Sequence, residues 1–298
     1  RPYLHRVMER FRAWIKASRL PSQTYIAFPI LLGQMVAYRV TGSFSWIALI
    51  LAQLFGIFDQ LYIVYANDWA DVETDRRNST YNIFSGGSRV IVEGLLSRRS
   101  VGIAAIVAAL LATLTGVGLW VLHGSPLSLG LMILGIALLY GYSYPPLRMS
   151  YRGGGEALQM IGVGGVLPLV GYSAQTGGLG GFPWAILAVT LPISLGCAVA
   201  TSLPDEPSDR ESRKRTASVL LGSTSAQVMA VSLCAVSPLA WLFISAPWPA
   251  LPPRLLAVAV PAAILIAGAR KIGAEPGSGP LTGLVTHFVA TNVVFFLA

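Results

Sequence analysis

Apolar residues run almost without interruption through most of this 298-residue chain, and polar residues collect between the runs. Nine runs have about the twenty residues that an α-helix needs to cross roughly 30 Å of hydrocarbon. They cover residues 24–41, 46–66, 101–121, 127–145, 156–176, 183–203, 217–247, 253–272 and 280–298. Because the runs are continuous and do not alternate, they favour helices over the strands of a membrane β-barrel. We therefore expect an all-α, polytopic membrane protein, whose overlong seventh run tilts or breaks near Ser237-Pro238.

Residues 1–20 precede the first run and have a different pattern. They lack the apolar core and the small-residue cleavage site of a signal peptide. Apolar residues at helical spacing form one stripe, and basic residues surround the rest of the helix. The stripe consists of Leu4, Val7, Met8, Phe11 and Ile15. This pattern predicts an amphipathic helix that lies on the cytoplasmic membrane surface, within a single domain that covers residues 1–298.

The charge distribution indicates a membrane protein and gives no reason to expect a nucleic-acid partner. Charged residues make up 11% of the chain, whereas soluble domains carry about a quarter. The formal net charge is +8, but nineteen of the 21 Lys and Arg residues precede the first run or lie in alternate loops. Only Arg39 and Arg254 lie on the other side. By the positive-inside rule, we expect the N-terminus and the basic loops to be cytoplasmic, in a bacterial or archaeal cell membrane.

The few acidic residues are concentrated after two of the apolar runs. Eight of the 13 Asp and Glu residues lie in segments 67–75 and 205–211, which follow the second and the sixth run. Four spans separate the segments, so both should lie on the same, cytoplasmic face. Crowded carboxylates repel one another unless a cation lies between them, and Mg²⁺ held by a few carboxylates is usually shared with phosphate. Together the two clusters indicate a magnesium site that binds a diphosphate.

The spacing within the first cluster fits a helix. If the second run continues as a helix to residue 75, Asp68, Asp71 and Asp75 occupy one face, and Asn67 lies beside Asp71. Facing ladders of carboxylates could then hold two Mg²⁺ ions. The alternative for either cluster is a solvated acidic loop that is neutralised by neighbouring arginines.

The second cluster is less regular. Asp205 and Asp209 lie four residues apart, but Pro207 stands between them. A helix tolerates proline only in its first turn or at a kink. We therefore expect the two aspartates to lie at a helix end or in a loop, where they can still bind a metal ion.

The two clusters resemble the paired motifs of the UbiA superfamily of intramembrane prenyltransferases. Residues 67–75 fit the NDxxDxxxD motif, and residues 205–209 fit DxxxD. Three further stretches are similar to the 1,4-dihydroxy-2-naphthoate prenyltransferase branch, namely 85–97, 142–156 and 204–216. Many relatives carry glycine where Arg213 stands, so the loop around it is expected to be bound more tightly or shaped differently. The resemblance covers nearly the whole chain and implies nine transmembrane helices around a central cavity, capped by cytoplasmic loops.

The resemblance also implies an activity. It is the Mg²⁺-dependent transfer of a prenyl group from an allylic polyprenyl diphosphate to an aromatic acceptor such as 1,4-dihydroxy-2-naphthoate, in quinone biosynthesis. Two Mg²⁺ ions would be held by Asp68, Asp71, Asp75, Asp205 and Asp209. The diphosphate would also contact Asn67, Arg89, Arg213 and Lys214. Asp68, Asp71 and Asp205 are expected to be essential for catalysis. A terpene cyclase of the same fold, which ionises a prenyl diphosphate without an acceptor, is the alternative, because it uses the same aspartates.

Other polar residues could line the cavity or contact the acceptor. Asp59 lies within the second run, where a carboxylate is costly and is usually functional or paired. Tyr142, Tyr144 and Tyr151 could stabilise a carbocation with their aromatic faces, or could belong to the aromatic belt at the membrane surface. Glu156, at the start of the fifth run, could act as a base or neutralise a nearby arginine.

Overall fold

The computed structural model describes residues 2–244 and 251–297 of the protein, without the side chains of residues 2–4 and 6. Within this part of the chain the regular elements are helices, as predicted. They are α1 (Pro2–Ala17), α2 (Thr24–Thr41), α3 (Trp46–Ala70), α4 (Val72–Arg77), α5 (Arg98–His123), α6 (Leu127–Ser143), α7 (Gly155–Met160), α8 (Leu167–Thr176), α9 (Leu187–Ser202), α10 (Glu206–Glu211), α11 (Ala217–Leu221), α12 (Ser223–Phe243), α13 (Leu251–Ala269) and α14 (Gly279–Leu297). The ends of the predicted seventh and ninth runs, residues 245–247 and 298, lie outside the described residues, as do the side chains of Leu4 and Arg6.

Each predicted run contains helix over most of its described part, but not every helix is suited to cross a bilayer. Seven segments of the described chain are long and apolar enough. They are Trp46–Ala70, Arg98–His123, Gly155–Thr176, Trp184–Glu211, Ser223–Phe243, Leu251–Ala269 and Gly279–Leu297. Of the two other predicted spans, α6 has 17 residues and reaches about 26 Å at 1.5 Å per residue. Helix α2 carries Gln34 and Arg39 among its 18 residues. The helical membrane protein is confirmed, whereas the count of nine spans stays a prediction.

Of the predicted tilt or break of the seventh run near Ser237-Pro238, the break is wrong. Pro238 lies inside α12, and the chain instead turns at Gly222, between α11 and α12. Gly222 has φ of 82° and ψ of 152°, a backbone conformation that is essentially confined to glycine. A proline within a membrane helix removes one hydrogen bond, and packing against neighbouring helices can accommodate the loss. The glycine therefore sets the boundary of this helix.

Glycines allow α2 and α8 to touch backbone to backbone. A Cβ atom on Gly33 of α2 would lie 2.0 Å from the carbonyl oxygen of Pro168. A Cβ atom on Gly171 of α8 would lie 2.0 Å from the carbonyl oxygen of Ile30. Small residues at such contacts let membrane helices approach closely. Each helix thus contributes one glycine that faces a backbone carbonyl of the other helix, and the two contacts hold α2 against α8.

Helices α3 and α9 bring the two acidic clusters to the same end of the bundle. Helix α3 packs along α5, and α9 packs along α12. The short helices that follow them, α4 and α10, contact each other. The predicted placement of both clusters on one face is therefore confirmed. Elsewhere, an apolar cavity of about 30 Å³ lies between α2, α9, α12 and α14, with room for one or two water-sized molecules.

Helix α1 lies on the surface of the bundle with an apolar side outward. Met8 and Phe11 are 54% and 65% exposed, and Val7 and Ile15 are exposed as well. On the other side of the helix, the ring of Trp14 packs edge-on against that of a tyrosine of α3. An exposed apolar stripe is what an interfacial helix requires, and the membrane contact of α1 stays a prediction.

Substitution of Gly171 by alanine should destabilise the protein. The new methyl group would overlap the carbonyl oxygen of Ile30, so α2 and α8 would have to separate. We expect a loss of about 1–3 kcal/mol, measured as a lower melting temperature in detergent. Gly130 of α6 has no neighbouring atom within 4 Å of a Cβ position, and Gly130→Ala is the matched control. Equal effects of the two substitutions would contradict the packing described for α2 and α8.

Candidate active site

The first acidic cluster spans the junction of α3 and α4. Helix α3 ends at Ala70, and Asp71 has φ of −97° and ψ of 13°, outside helical values. The N–H of Asp71 still bonds to the Asn67 carbonyl at 2.9 Å, and the N–H of Asp75 to the Asp71 carbonyl at 2.8 Å. The expectation of one unbroken helix to residue 75 is wrong at Asp71, although its hydrogen bonds continue. Aspartate has a low helix propensity, and this one binds a lysine across the site.

The second cluster begins a short helix. Residues Leu203–Asp205 form one 3₁₀ turn, and α10 follows from Glu206. Pro207 occupies the first turn of α10, where the N–H that it lacks would have no helical partner. The predicted position of the second aspartate pair at a helix end is therefore confirmed. Asp209 is buried and Asp205 is partly exposed.

A loop of residues 85–89 lies between the two clusters and binds both of them. Ser88 donates to the Asp68 carboxylate from its backbone N–H, at 3.1 Å, and from its hydroxyl group. The N–H of Gly86 donates to Oδ2 of Asp205 at 3.4 Å. The loop thus connects the first aspartate of each motif through hydrogen bonds.

Gly87 lets this loop pass between two carboxylates. Its φ is 70°, in the left-handed region that favours glycine. A Cβ atom there would lie 2.1 Å from Oδ2 of Asp75 and 3.2 Å from Oδ1 of Asp68. Any larger residue would therefore fill the space between the two aspartates.

Two side chains join the clusters directly. Asn78, three residues after the first motif, donates from Nδ2 to Oδ1 of Asp205 at 2.6 Å. Nζ of Lys214 donates to Oδ2 of Asp71 at 2.7 Å and lies 3.8 Å from Oδ1 of Asp209. Lys214 is buried and faces both clusters, in keeping with the predicted place of this lysine in the site.

Arg19 is a site residue that the sequence analysis missed. Its Nη2 atom lies 2.5 Å from Oδ1 of Asp68. The signal in the sequence was only its place in the basic N-terminal segment, which membrane topology explains equally well. Asn78 was missed too, since its partner is 127 residues away in the chain.

The carboxylates of the site exceed the positive charge beside them. Burial raises the pKa of the Asp75 carboxyl to about 7, with Asp71 and Asp68 adding to the shift and Arg19 and Lys214 opposing it. Burial disfavours the charged form of Lys214, but Asp71 and Asp209 raise its pKa well above the ordinary value. The site thus holds its lysine charged, while its five carboxylates outnumber the two cations that pair with them, Arg19 and Lys214. Further cations would offset that excess of negative charge.

The donor set fits magnesium. It consists of oxygen atoms of Asp68, Asp71, Asp75, Asp205 and Asp209. Hard cations such as Mg²⁺ prefer these donors, and Mg²⁺ usually takes one or two carboxylates and completes its shell with water and phosphate. No three His, Cys, Asp or Glu side chains converge on one point in the part of the chain that the structure describes. A shell shared between carboxylate pairs, water and a diphosphate suits this arrangement better than a cage made by the protein alone.

The other three residues predicted to bind diphosphate have distinct surroundings. Arg89 has φ of 62°, and its Nη1 donates to the carbonyl oxygen of Asp75 at 2.7 Å. Its guanidinium carbon also lies 4.2 Å from the ring centre of Tyr81, so Arg89 fastens the loop to the end of α4. Arg213 has φ of 59° and an exposed side chain. The amide of Asn67 accepts a hydrogen bond from a serine hydroxyl at the end of α6.

The candidate tyrosines divide into one beside the site and two that brace it. The ring of Tyr151 lies 5.7 Å from Nζ of Lys214. The hydroxyl of Tyr144 donates to the Ala66 carbonyl of α3 at 2.7 Å. Tyr142 packs so closely on Gly155 that a Cβ atom there would lie 2.7 Å from its ring.

Asp59 and Glu156 are placed differently from the motif aspartates. Asp59 is 3% exposed, and its Oδ1 is buried without a hydrogen-bond partner among the described residues. Glu156 accepts a hydrogen bond from the N–H of Ala217 at 2.7 Å. This contact ties α7 to the start of α11, and the role of Glu156 as a base stays a prediction.

Comparison with known proteins identifies the family. Residues 26–280 match the model of the UbiA prenyltransferase family. A 2-carboxy-1,4-naphthoquinone phytyltransferase from Synechocystis sp. is 26% identical over 296 residues, which cover 96% of this chain and 90% of the relative. A homogentisate phytyltransferase from Synechocystis sp. is 29% identical over 187 residues, which cover 60% of this chain and 54% of the relative.

A solved structure shares the fold. A UbiA homologue from Archaeoglobus fulgidus, bound to GPP and Mg²⁺, superimposes with a TM-score of 0.72 at 16% identity, covering 96% of this chain and 97% of that one. At this identity the likeness establishes the fold alone. The family match, which spans most of the sequence, establishes more: the chain belongs to the UbiA prenyltransferase family.

Proposed function

We propose that the protein transfers a prenyl group from an allylic polyprenyl diphosphate to an aromatic acceptor, in a Mg²⁺-dependent reaction. The observation that carries the proposal is the meeting of both aspartate motifs around the loop of residues 85–89, with Lys214 and Arg19 as their cations. Such a site suits a polyanion that is bound together with metal ions.

The acceptor is proposed to be bicyclic, 1,4-dihydroxy-2-naphthoate or a similar quinone precursor. A relative that aligns with nearly the whole chain is a naphthoquinone phytyltransferase, which supports this choice. In the reaction, the bond between the prenyl carbon and the diphosphate oxygen breaks, and both electrons leave with the diphosphate. Electrons of the aromatic ring form the new carbon–carbon bond. The ring then loses a proton, or carbon dioxide where a carboxyl group occupied the attacked carbon.

The metal ions and the diphosphate have proposed partners among the candidate residues. Two Mg²⁺ ions would neutralise the leaving diphosphate, and the five motif aspartates would hold them. Lys214, Asn67 and Arg213 would contact the diphosphate, since they surround the first cluster or adjoin the second. Arg89 is proposed as a positioning residue, because its guanidinium binds the backbone of α4.

The remaining candidates would serve the prenyl cation and the acceptor. Tyr151 lies close enough to Lys214 to present its ring to a cation formed beside the diphosphate. Tyr142 and Tyr144 would shape the same wall of the cavity. The buried, unpartnered oxygen of Asp59 supports a role on the acceptor side.

The active-site loops are proposed to be cytoplasmic, and α1 to lie on that membrane surface. The alternate placement of Lys and Arg residues and the exposed stripe of α1 support this orientation. The two native thiols are buried, so introduced cysteines can report the topology.

Cysteines introduced at Ser79, which is exposed, and at Ser125, which is half-buried, should label from one side only. In intact cells, Ser125→Cys should react with an impermeant thiol reagent, because its loop is proposed to be external. Ser79→Cys should react only after the membrane is opened. Labelling of Ser79→Cys from outside would reverse the proposed orientation.

Removal of the metal should abolish the activity. Purified protein, prenyl diphosphates of several lengths and a panel of hydroxylated naphthoates and benzoates should give a prenylated product by mass spectrometry. EDTA should stop the reaction, and Mg²⁺ should restore it. Asp68→Asn and Asp205→Asn should each lower kcat by about a hundredfold or more, with little loss of melting temperature.

Glu73→Gln is the control for these variants. Glu73 lies within the first motif but is 68% exposed and pairs with Arg76 on the surface, so its loss should leave the rate unchanged. Full activity in EDTA would refute the metal-dependent reaction. A cyclised hydrocarbon from the donor alone would show a terpene cyclase instead.

Lys214 and Arg89 should respond differently to substitution. Lys214→Ala removes a charge-assisted contact, so we expect kcat/KM for the donor to fall about ten- to a hundredfold with the acceptor KM little changed. Arg89→Lys keeps the charge but not the planar fork that holds the end of α4. This substitution should therefore lower the melting temperature and reduce kcat/KM for both the donor and the acceptor. If the melting temperature were normal and only kcat/KM for the donor fell, Arg89 would be a direct diphosphate ligand.

A further inference from the structure

Arg19 lies in a turn that the rest of the structure holds rigidly. It lies two residues after the end of α1, with φ of 42° and ψ of 56°, a left-handed conformation that residues other than glycine rarely adopt. Its carbonyl oxygen accepts hydrogen bonds from the N–H and the Oγ of Ser22, at 2.8 Å and 2.7 Å. Gln60 of α3 donates to the same Oγ at 2.6 Å. The turn therefore fixes the backbone of Arg19 relative to α3 and to the first acidic cluster.

The guanidinium of Arg19 is only partly satisfied. Nη2 binds Oδ1 of Asp68 at 2.5 Å, and the same carboxylate already accepts two hydrogen bonds from Ser88. Nε of Arg19 is buried and has no hydrogen-bond partner among the described residues. A buried donor without an acceptor is costly. The geometry thus indicates that an acceptor from outside the chain belongs beside Arg19.

A diphosphate has the chemistry to be that acceptor. The guanidinium fork matches adjacent phosphate oxygens, which can bind Nε and Nη2 together. Arg19 approaches the first cluster at Asp68, and Lys214 approaches it at Asp71. The two cations therefore reach the cluster at different aspartates and from segments far apart in the chain.

We propose that Arg19 binds the donor diphosphate and exchanges partners when the site is loaded. In the free protein it supplies the positive charge that the buried Asp68 needs. In the loaded site it leaves Asp68 to a metal ion and donates through Nε and Nη2 to the diphosphate. This inference rests on the proposed function, since both the metal ion and the diphosphate belong to it.

The exchange of partners predicts opposite changes in two binding affinities, which a purely structural role of Arg19 would not produce. Arg19→Gln removes a cation that competes for Asp68, so Mn²⁺ alone should bind about threefold more tightly or better. The same variant loses a diphosphate contact, so inorganic pyrophosphate with Mg²⁺ should bind about ten- to a hundredfold more weakly. Calorimetry or the Mn²⁺ electron paramagnetic resonance spectrum measures both affinities without turnover.

Two variants serve as controls. Arg76→Gln removes the same charge from an exposed position directly after the first motif and should change neither affinity by more than about twofold. Arg19→Lys keeps a positive charge beside Asp68 but lacks the guanidinium fork. It should bind Mn²⁺ like the natural protein and pyrophosphate with intermediate affinity.

Several results would overturn the assignment of Arg19. They are a loss of both affinities in Arg19→Gln, wild-type values for both, or weakened binding confined to a hydroxynaphthoate, which would place the carboxylate of the acceptor beside Arg19. If the unsubstituted protein bound neither Mn²⁺ nor pyrophosphate, the proposed function would fail together with this inference. Binding by the unsubstituted protein with no change in Arg19→Gln would overturn this inference alone.

Discussion

Mutual repulsion of the carboxylates at one end of the bundle is the constraint on which the rest of this site depends. The protein opposes it with two cations from distant segments, Arg19 and Lys214, and with donors from the loop of residues 85–89. This compensation is incomplete, because five carboxylates face two cations. Burial, with Asp71 and Asp68 adding to the shift, keeps the pKa of the Asp75 carboxyl raised to about 7. A site that is short of positive charge in its free form would accept the cations that we propose bind with the donor.

Packing of the helices fixes the positions of these carboxylates and of the groups that neutralise them. Glycine contacts between α2 and α8 and the packing of α3 on α5 and of α9 on α12 fix the positions at which the two motifs emerge. Gly87 then lets the loop pass between Asp68 and Asp75, and Arg89 fastens the loop to α4. Packing in the apolar bundle thus determines how the polar groups meet, and the polar groups hold the two motifs together.

The sequence predicted those features that depend on pattern and parity. Continuous apolar runs predicted the helices. The even number of spans between the motifs predicted that both lie on one face, and Pro207 predicted that the second motif lies at a helix end. Features that depend on contacts between distant residues could not be predicted from the sequence. Arg19 and Asn78 act through partners 49 and 127 residues away. The helix break fell at Gly222 and not at Pro238, because a backbone conformation decided it. The shorter α6 leaves the number of spans open to experiment.

The order of the cations along the chain has a consequence for biosynthesis. Arg19 precedes the first motif, so a ribosome completes it before Asp68, whereas Lys214 emerges more than a hundred residues later. During membrane insertion the first cluster can therefore be neutralised by Arg19 while the helices that carry the second motif have yet to be made. The ion pair between Arg19 and Asp68 gives the growing protein a counterion early. Lys214 can join the two motifs only after all the helices between them have been made.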